Sequence, residues 1–147
     1  MMFGGAKPVP VNYLRLRQPA RDMMFVALAG PISNLLLAIV FVLILKLLTY
    51  GGGMGEQTIA VQVMVASARW NILLAAFNML PIPPLDGSRV VSYLLPASLR
   101  QGYATLERFG MLIVFGLLFT GVLWSLIGPM MVTVTRAIDF LTGGNWS

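Results

Sequence analysis

Residues 23–48, 58–80 and 109–127 are apolar runs of the length a lipid bilayer demands, and nothing else in the sequence restricts the fold as much. A helix rises 1.5 Å per residue, so about 20 residues cross roughly 30 Å of hydrocarbon. In that medium every backbone donor and acceptor needs a partner within the protein, and a single apolar run meets the need as a helix. Composition agrees: 58% of the 147 residues are hydrophobic and 10% are charged. A water-soluble chain of this size cannot bury so much apolar surface. The expectation is an all-α, polytopic protein of the cell membrane with about three transmembrane helices, forming one membrane domain over residues 1–147.

Polar and helix-breaking residues subdivide this plan. Pro31 follows Gly30 near the start of the first run and has no N–H, so the helix either starts there or kinks there. Gly51, Gly52 and Gly53 make a loop. The second run carries Arg69, Asn71 and Asn78, which are costly in lipid and should face protein or water. Asn71 and Asn78 are two helical turns apart and share a face. Pro81, Pro83 and Pro84 must end that helix, and Leu85-Asp86-Gly87 turns the chain, giving a Pro-broken, re-entrant segment that bears Asp86. Residues 88–95 read as a short amphipathic helix and 96–108 as an interfacial stretch. Gly128-Pro129 is expected to close the third run, and the tail from Thr142 to fray.

The net charge of +5 does not mark a nucleic-acid binder, because the ten Lys and Arg residues are scattered through short loops and form no stripe with aromatics. They fit membrane topology better. With a cytoplasmic N-terminus that side receives Lys7, Arg15, Arg17, Arg21, Arg89, Arg100 and Arg108, against Lys46 and Arg136 opposite. The Asp86 turn is then near the cytoplasmic side. Residues 1–22 lack the apolar core of a signal peptide, and residues 7–13 alternate proline with β-branched residues, which favours an extended path.

Neither cysteine nor histidine occurs. Thiolate metal sites and disulfides are excluded, and the commonest zinc ligand and acid–base group is missing. Asp86 stands out among the remaining candidates, because it lies at the broken end of a spanning helix, where irregular backbone is tolerated only in a cavity or inside protein. A carboxylate there needs a partner, unless the stretch is simply a turn with Asp86 capping the helix that begins near Ser88.

The stretch Asn78-Met79-Leu80-Pro81-Ile82-Pro83-Pro84-Leu85-Asp86-Gly87 resembles the asparagine, proline and aspartate-glycine pattern of the site-2 protease family, the zinc-dependent intramembrane metalloproteases of peptidase family M50. Ala6-Lys7-Pro8-Val9-Pro10-Val11-Asn12 is similar to the loop after the first zinc motif of its compact bacterial members. Ala29-Gly30-Pro31-Ile32-Ser33-Asn34-Leu35 is similar to the family's Ala-Gly-Pro helix. The matches keep the family's order and spacing. The resemblance implies that Asp86 is a zinc ligand, the third after two histidines of an H-E-x-x-H helix whose glutamate is the general base. Such a ligand set leaves one position for a water that the metal acidifies for attack on a peptide carbonyl. It also places Asn78 at the catalytic site, holding substrate or the developing oxyanion, or else gluing helices.

The chain departs from the family where the H-E-x-x-H helix should be. Glu56 lies beside the Gly-rich loop and Glu107 beside Arg108, and neither replaces the missing glutamate. Asn34 and Arg69 are read first as helix-packing groups, and residues 7–13 as a connecting loop with an edge that a substrate strand can join. The expected function is therefore hydrolysis of peptide bonds in transmembrane protein substrates, this chain being an incomplete or inactive portion: either an upstream segment supplies the histidines, or the chain is a natural truncation or a degenerate relative. The rival is a non-catalytic scaffold that binds transmembrane segments. A transporter would use Asp86, Asn71 and Asn78 as a polar pathway, but these groups gather near one membrane face.

Overall fold

The computed structural model describes residues 18–144 and 146, and the extended segment expected at residues 7–13 lies outside them. Every regular element described is helical: α1 (Pro19–Lys46), a π-helical turn (Leu47–Gly51), α2 (Ile59–Asn78), α3 (Asp86–Leu94), α4 (Ala97–Thr105), a 3-10 turn (Leu106–Phe109), α5 (Gly110–Thr120) and α6 (Val122–Thr142).

The first run becomes α1, which starts earlier than Pro31, at Pro19, where a proline in the first turn leaves no extra donor unpaired. Pro31 stays inside this continuous helix and is buried. Its missing N–H leaves the Ala27 carbonyl without the usual partner, and Ser33 Oγ donates to the neighbouring Ala29 carbonyl at 2.6 Å. Spanning helices tolerate such interruptions where neighbouring groups re-satisfy the backbone. α1 packs against α2 through Ala38, Val42, Ala68 and Ile72, all fully buried. The alanines allow close approach, the main source of helix association where hydrophobic burial gives no advantage over lipid.

The second run behaves as its sequence demands: α2 stops at Asn78, just before the prolines. The third run differs. Gly121 has φ +78°, a left-handed backbone that ends α5, and Gly128-Pro129 closes nothing because both residues lie inside α6. The boundaries 109–127 are thus replaced by two helices.

Four helical stretches are long and apolar enough to cross a membrane: Pro19–Gly51, Ile59–Asn78, Ala97–Thr120 and Val122–Thr142. Contacts decide which of them run from one end of the molecule to the other. Lys46 Nζ donates to the carbonyls of Thr142 at 2.8 Å and Gly144 at 2.9 Å, so α6 finishes where α1 finishes, at the end with the Gly-rich loop. At its start Leu123 packs with Ala76 and Leu80, beside the proline turn. α6 therefore runs from turn end to loop end. α5 begins against Pro83, where a Cβ on Gly110 would overlap the Pro83 carbonyl, and its Leu117 joins the cluster of Leu80, Ile82 and Leu85. α5 stays at the turn end, and α1, α2 and α6 connect the two ends.

The tail is held. Besides the Lys46 bonds, the backbone N–H of Trp146 donates to Asp139 Oδ1 at 3.1 Å and its ring packs against the α1–α2 core. A lysine gripping the last carbonyls of α6 explains this: it satisfies groups that a helix end leaves orphaned.

Candidate functional site

Three features of the 79–85 segment make a rigid platform at the turn end. Gly87 lies so close to the Met79 and Leu80 carbonyls that a side chain has no room, and Gly110 lies equally close to Pro83. Tyr103 Oη donates to the Pro81 carbonyl at 2.6 Å, capping an acceptor that the prolines leave free. Ser88 is buried and its hydroxyl donates to the Leu85 carbonyl at 2.6 Å.

Asp86 is the first residue of α3 and does not cap it: Leu85 holds the N-cap position, with no side-chain cap bond. Among the described residues no hydrogen bond or ion pair engages the carboxylate. Arg89, one turn on, pairs at 3.3 Å with Glu107 instead. Glu107 is thereby an exposed surface charge whose partner is Arg89, not its sequence neighbour Arg108. Burial pushes the Asp86 carboxyl above the usual carboxylate range, and the Arg89 guanidinium works against that shift.

The carboxylate faces α1. An ideal Cβ on Gly30 would stand 3.1 Å from Asp86 Oδ2, so the glycine of Ala29-Gly30-Pro31 leaves the space the carboxylate uses. Two of the three sequence stretches singled out above thus meet. Asn78 closes α2 at the same end; it is half-buried, and no described group bonds its amide. Asn71 spends its amide on the Ser67 carbonyl at 2.9 Å, within its own helix. Asn34 is half-buried on α1 one turn beyond Gly30. Glu56 lies at the loop end, remote from Asp86. Sequence reasoning passes over Tyr103 and Gly110, and the only signal for the latter is a glycine at the start of an apolar run.

A cleft of about 740 Å³ opens at the loop end, between Lys46, Thr49, Glu56, Val61 and Arg69. It lies 16 residues along α1 from Gly30, about 24 Å at helical rise, so it is separate from the Asp86 site.

The profile of peptidase family M50 matches residues 52–121, which hold α2, the proline turn and Asp86. The provisionally named zinc metalloprotease YwhC of Bacillus subtilis (strain 168) is 38% identical over 133 residues, covering 88% of this chain and 60% of that protein. Both matches support a member of the site-2 protease family. A second relative, the provisionally named zinc metalloprotease MJ0611 of Methanocaldococcus jannaschii, is 37% identical over 68 residues, covering 46% of this chain and 32% of its own length. The chain thus spans about 60% of the first relative and a third of the second. No solved structure matches it.

The residues present do not by themselves fit the zinc those names suggest. Among the described residues no three carboxylates, imidazoles or thiolates gather, and the sequence contains no histidine or cysteine. One carboxylate gives a borderline-soft ion too little to hold.

Proposed function

We propose that this chain is the aspartate-bearing part of a site-2-type intramembrane metalloprotease, which hydrolyses peptide bonds of membrane-embedded substrates when a histidine-bearing segment joins it. The observation that carries this reading is the half-buried Asp86 carboxylate, which neither caps its helix nor pairs with a base and to which Gly30 cedes space. Leaving an acidic group without a partner at a membrane protein's helix break is costly unless a ligand completes it. Asn78, with its amide unused, is assigned to the substrate backbone or the oxyanion. The Asp86 turn is assigned to the cytoplasmic side.

The test joins an H-E-x-x-H helix upstream of this chain and measures zinc content and cleavage of a transmembrane substrate. Both should appear in the joined protein. Asp86→Asn keeps the shape and removes the ligand charge, so zinc content and cleavage should both fall steeply at unchanged protein level. Asn78→Ala should reduce cleavage more than zinc content, by about 10²-fold or more if it serves the oxyanion. Intact zinc and cleavage in Asp86→Asn would return Asp86 to a structural turn.

A non-catalytic scaffold that binds transmembrane segments is the second reading, favoured by the absence of histidine. It predicts that Asp86→Asn leaves capture of a transmembrane segment unchanged and that no H-E-x-x-H helix restores cleavage.

A further inference from the structure

The loop end carries two charged groups that proteolysis at Asp86 leaves unused. Arg69 stands ten residues into α2, well inside a spanning helix, and its side chain is exposed. Arg136 lies six residues before the end of α6 and is exposed too. Among the described residues the ion pairs are Arg21–Asp22 and Arg89–Glu107, so neither Arg69 nor Arg136 has a carboxylate within bonding reach.

The two guanidiniums share one depth and one recess. Ala68 and Ile138, adjacent to Arg69 and near Arg136, pack in the same buried cluster. Six residues separate Arg136 from Thr142, whose carbonyl Lys46 grips, so this level is about 9 Å inside that contact. Arg69 lines both the cleft of about 740 Å³ and an adjoining cleft of about 510 Å³, which Arg136 and Asp139 also line. Trp146 stands between them, lining both, and its buried indole Nε1 has no acceptor among the described residues.

Other charges at the recess are engaged or outnumbered. Lys46 is committed to two carbonyls, and Asp139 accepts the Trp146 N–H. Among the described residues Glu56 is the remaining acidic group, and two guanidiniums and one indole N–H surround the space as donors without a described acceptor. A guanidinium at this depth is expensive unless water or an anion meets it, and its planar fork suits phosphate oxygens. The frame is apolar: Trp70, next to Arg69, is 62% exposed, and Val132, one turn before Arg136, is 50% exposed. Such a border suits an amphiphile better than a free ion.

We propose that Arg69 and Arg136 bind the phosphate of a membrane phospholipid, whose head group enters the loop-end recess and whose acyl chains lie along the exposed apolar sides of α2 and α6. Basic pockets between spanning helices can hold phospholipid head groups. This site is independent of the proteolytic reading.

The test is native mass spectrometry of the full chain in mild detergent, titrated with phosphatidylglycerol. The wild type should hold one lipid, and Arg69→Gln with Arg136→Gln should bind it at least about tenfold more weakly, the loss expected for charge-assisted bonds. Arg108→Gln, exposed at the other end, should leave binding unchanged. If the double variant loses helicity, Arg69→Lys with Arg136→Lys takes its place, keeping charge while losing the fork, and should still bind more weakly. Undiminished lipid binding in the folded variants would overturn the site. Displacement of the lipid by equimolar inorganic phosphate would overturn the lipid as occupant in favour of a free anion.

Discussion

Gly30 and Asp86 show what a residue's identity means only once its neighbour is known. A glycine in a helix interior costs about 1 kcal/mol relative to alanine, and here the missing methyl leaves room for Asp86 Oδ2. Gly30→Ala should therefore move two measurements in opposite directions. In the protein joined to an H-E-x-x-H helix, zinc content should fall, since at 3.1 Å the carboxylate must give by a few tenths of an ångström. The thermal midpoint should hold or rise, because alanine favours α1. A lower midpoint with full zinc content would show that Gly30 serves only packing. The sequence displays the Ala-Gly-Pro and Asp-Gly pieces separately, and nothing local indicates that they touch. Asn78 is the opposite case: its place at the end of α2 follows from the prolines after it, while its unused amide is visible only in three dimensions.

At the scale of elements, the contrast between Gly121 and Gly128 explains why the sequence places the end of the third run at the wrong glycine. The run 109–127 is apolar on both sides of Gly121, so hydrophobicity alone carries a helix through it, while Gly128-Pro129 has the composition of a stop. Backbone conformation reverses this. Gly121 adopts φ +78°, which a side chain strains, whereas Gly128 is helical with open space at its Cβ. Gly121→Ala should destabilise by about 1–2 kcal/mol, and Gly128→Ala should stabilise by up to about 1 kcal/mol. Thermal unfolding in detergent measures both, and equal shifts would contradict the α5–α6 break. Pro129 and Pro31 are accommodated inside helices, as Pro81, Pro83 and Pro84 are not, because one missing N–H can be re-satisfied locally and three in four residues cannot.

For the whole molecule, α1, α2 and α6 connect two ends, and their odd number places the end of α6 opposite the start of α1. The cysteine-free sequence makes the orientation directly measurable. Gly53→Cys in the loop should react with an impermeant maleimide added outside intact cells, and Ser98→Cys in α4 should react only after the membrane is opened. The reverse pattern would invert the assignment of the Asp86 turn to the cytoplasm. Sequence by itself determined that this chain is helical, polytopic and broken at residues 79–85, because run length, hydropathy and proline chemistry act through neighbours along the chain. The family resemblance rests on the same local stretches. Only the tertiary structure decided that α5 stays beside the turn, that Lys46 and Asp139 tie down the tail, and that Asp86 faces Gly30 and is ion-paired with no base among the described residues. Those outcomes depend on contacts between groups far apart in sequence, where close packing and the satisfaction of polar groups choose among arrangements that the apolar runs permit equally.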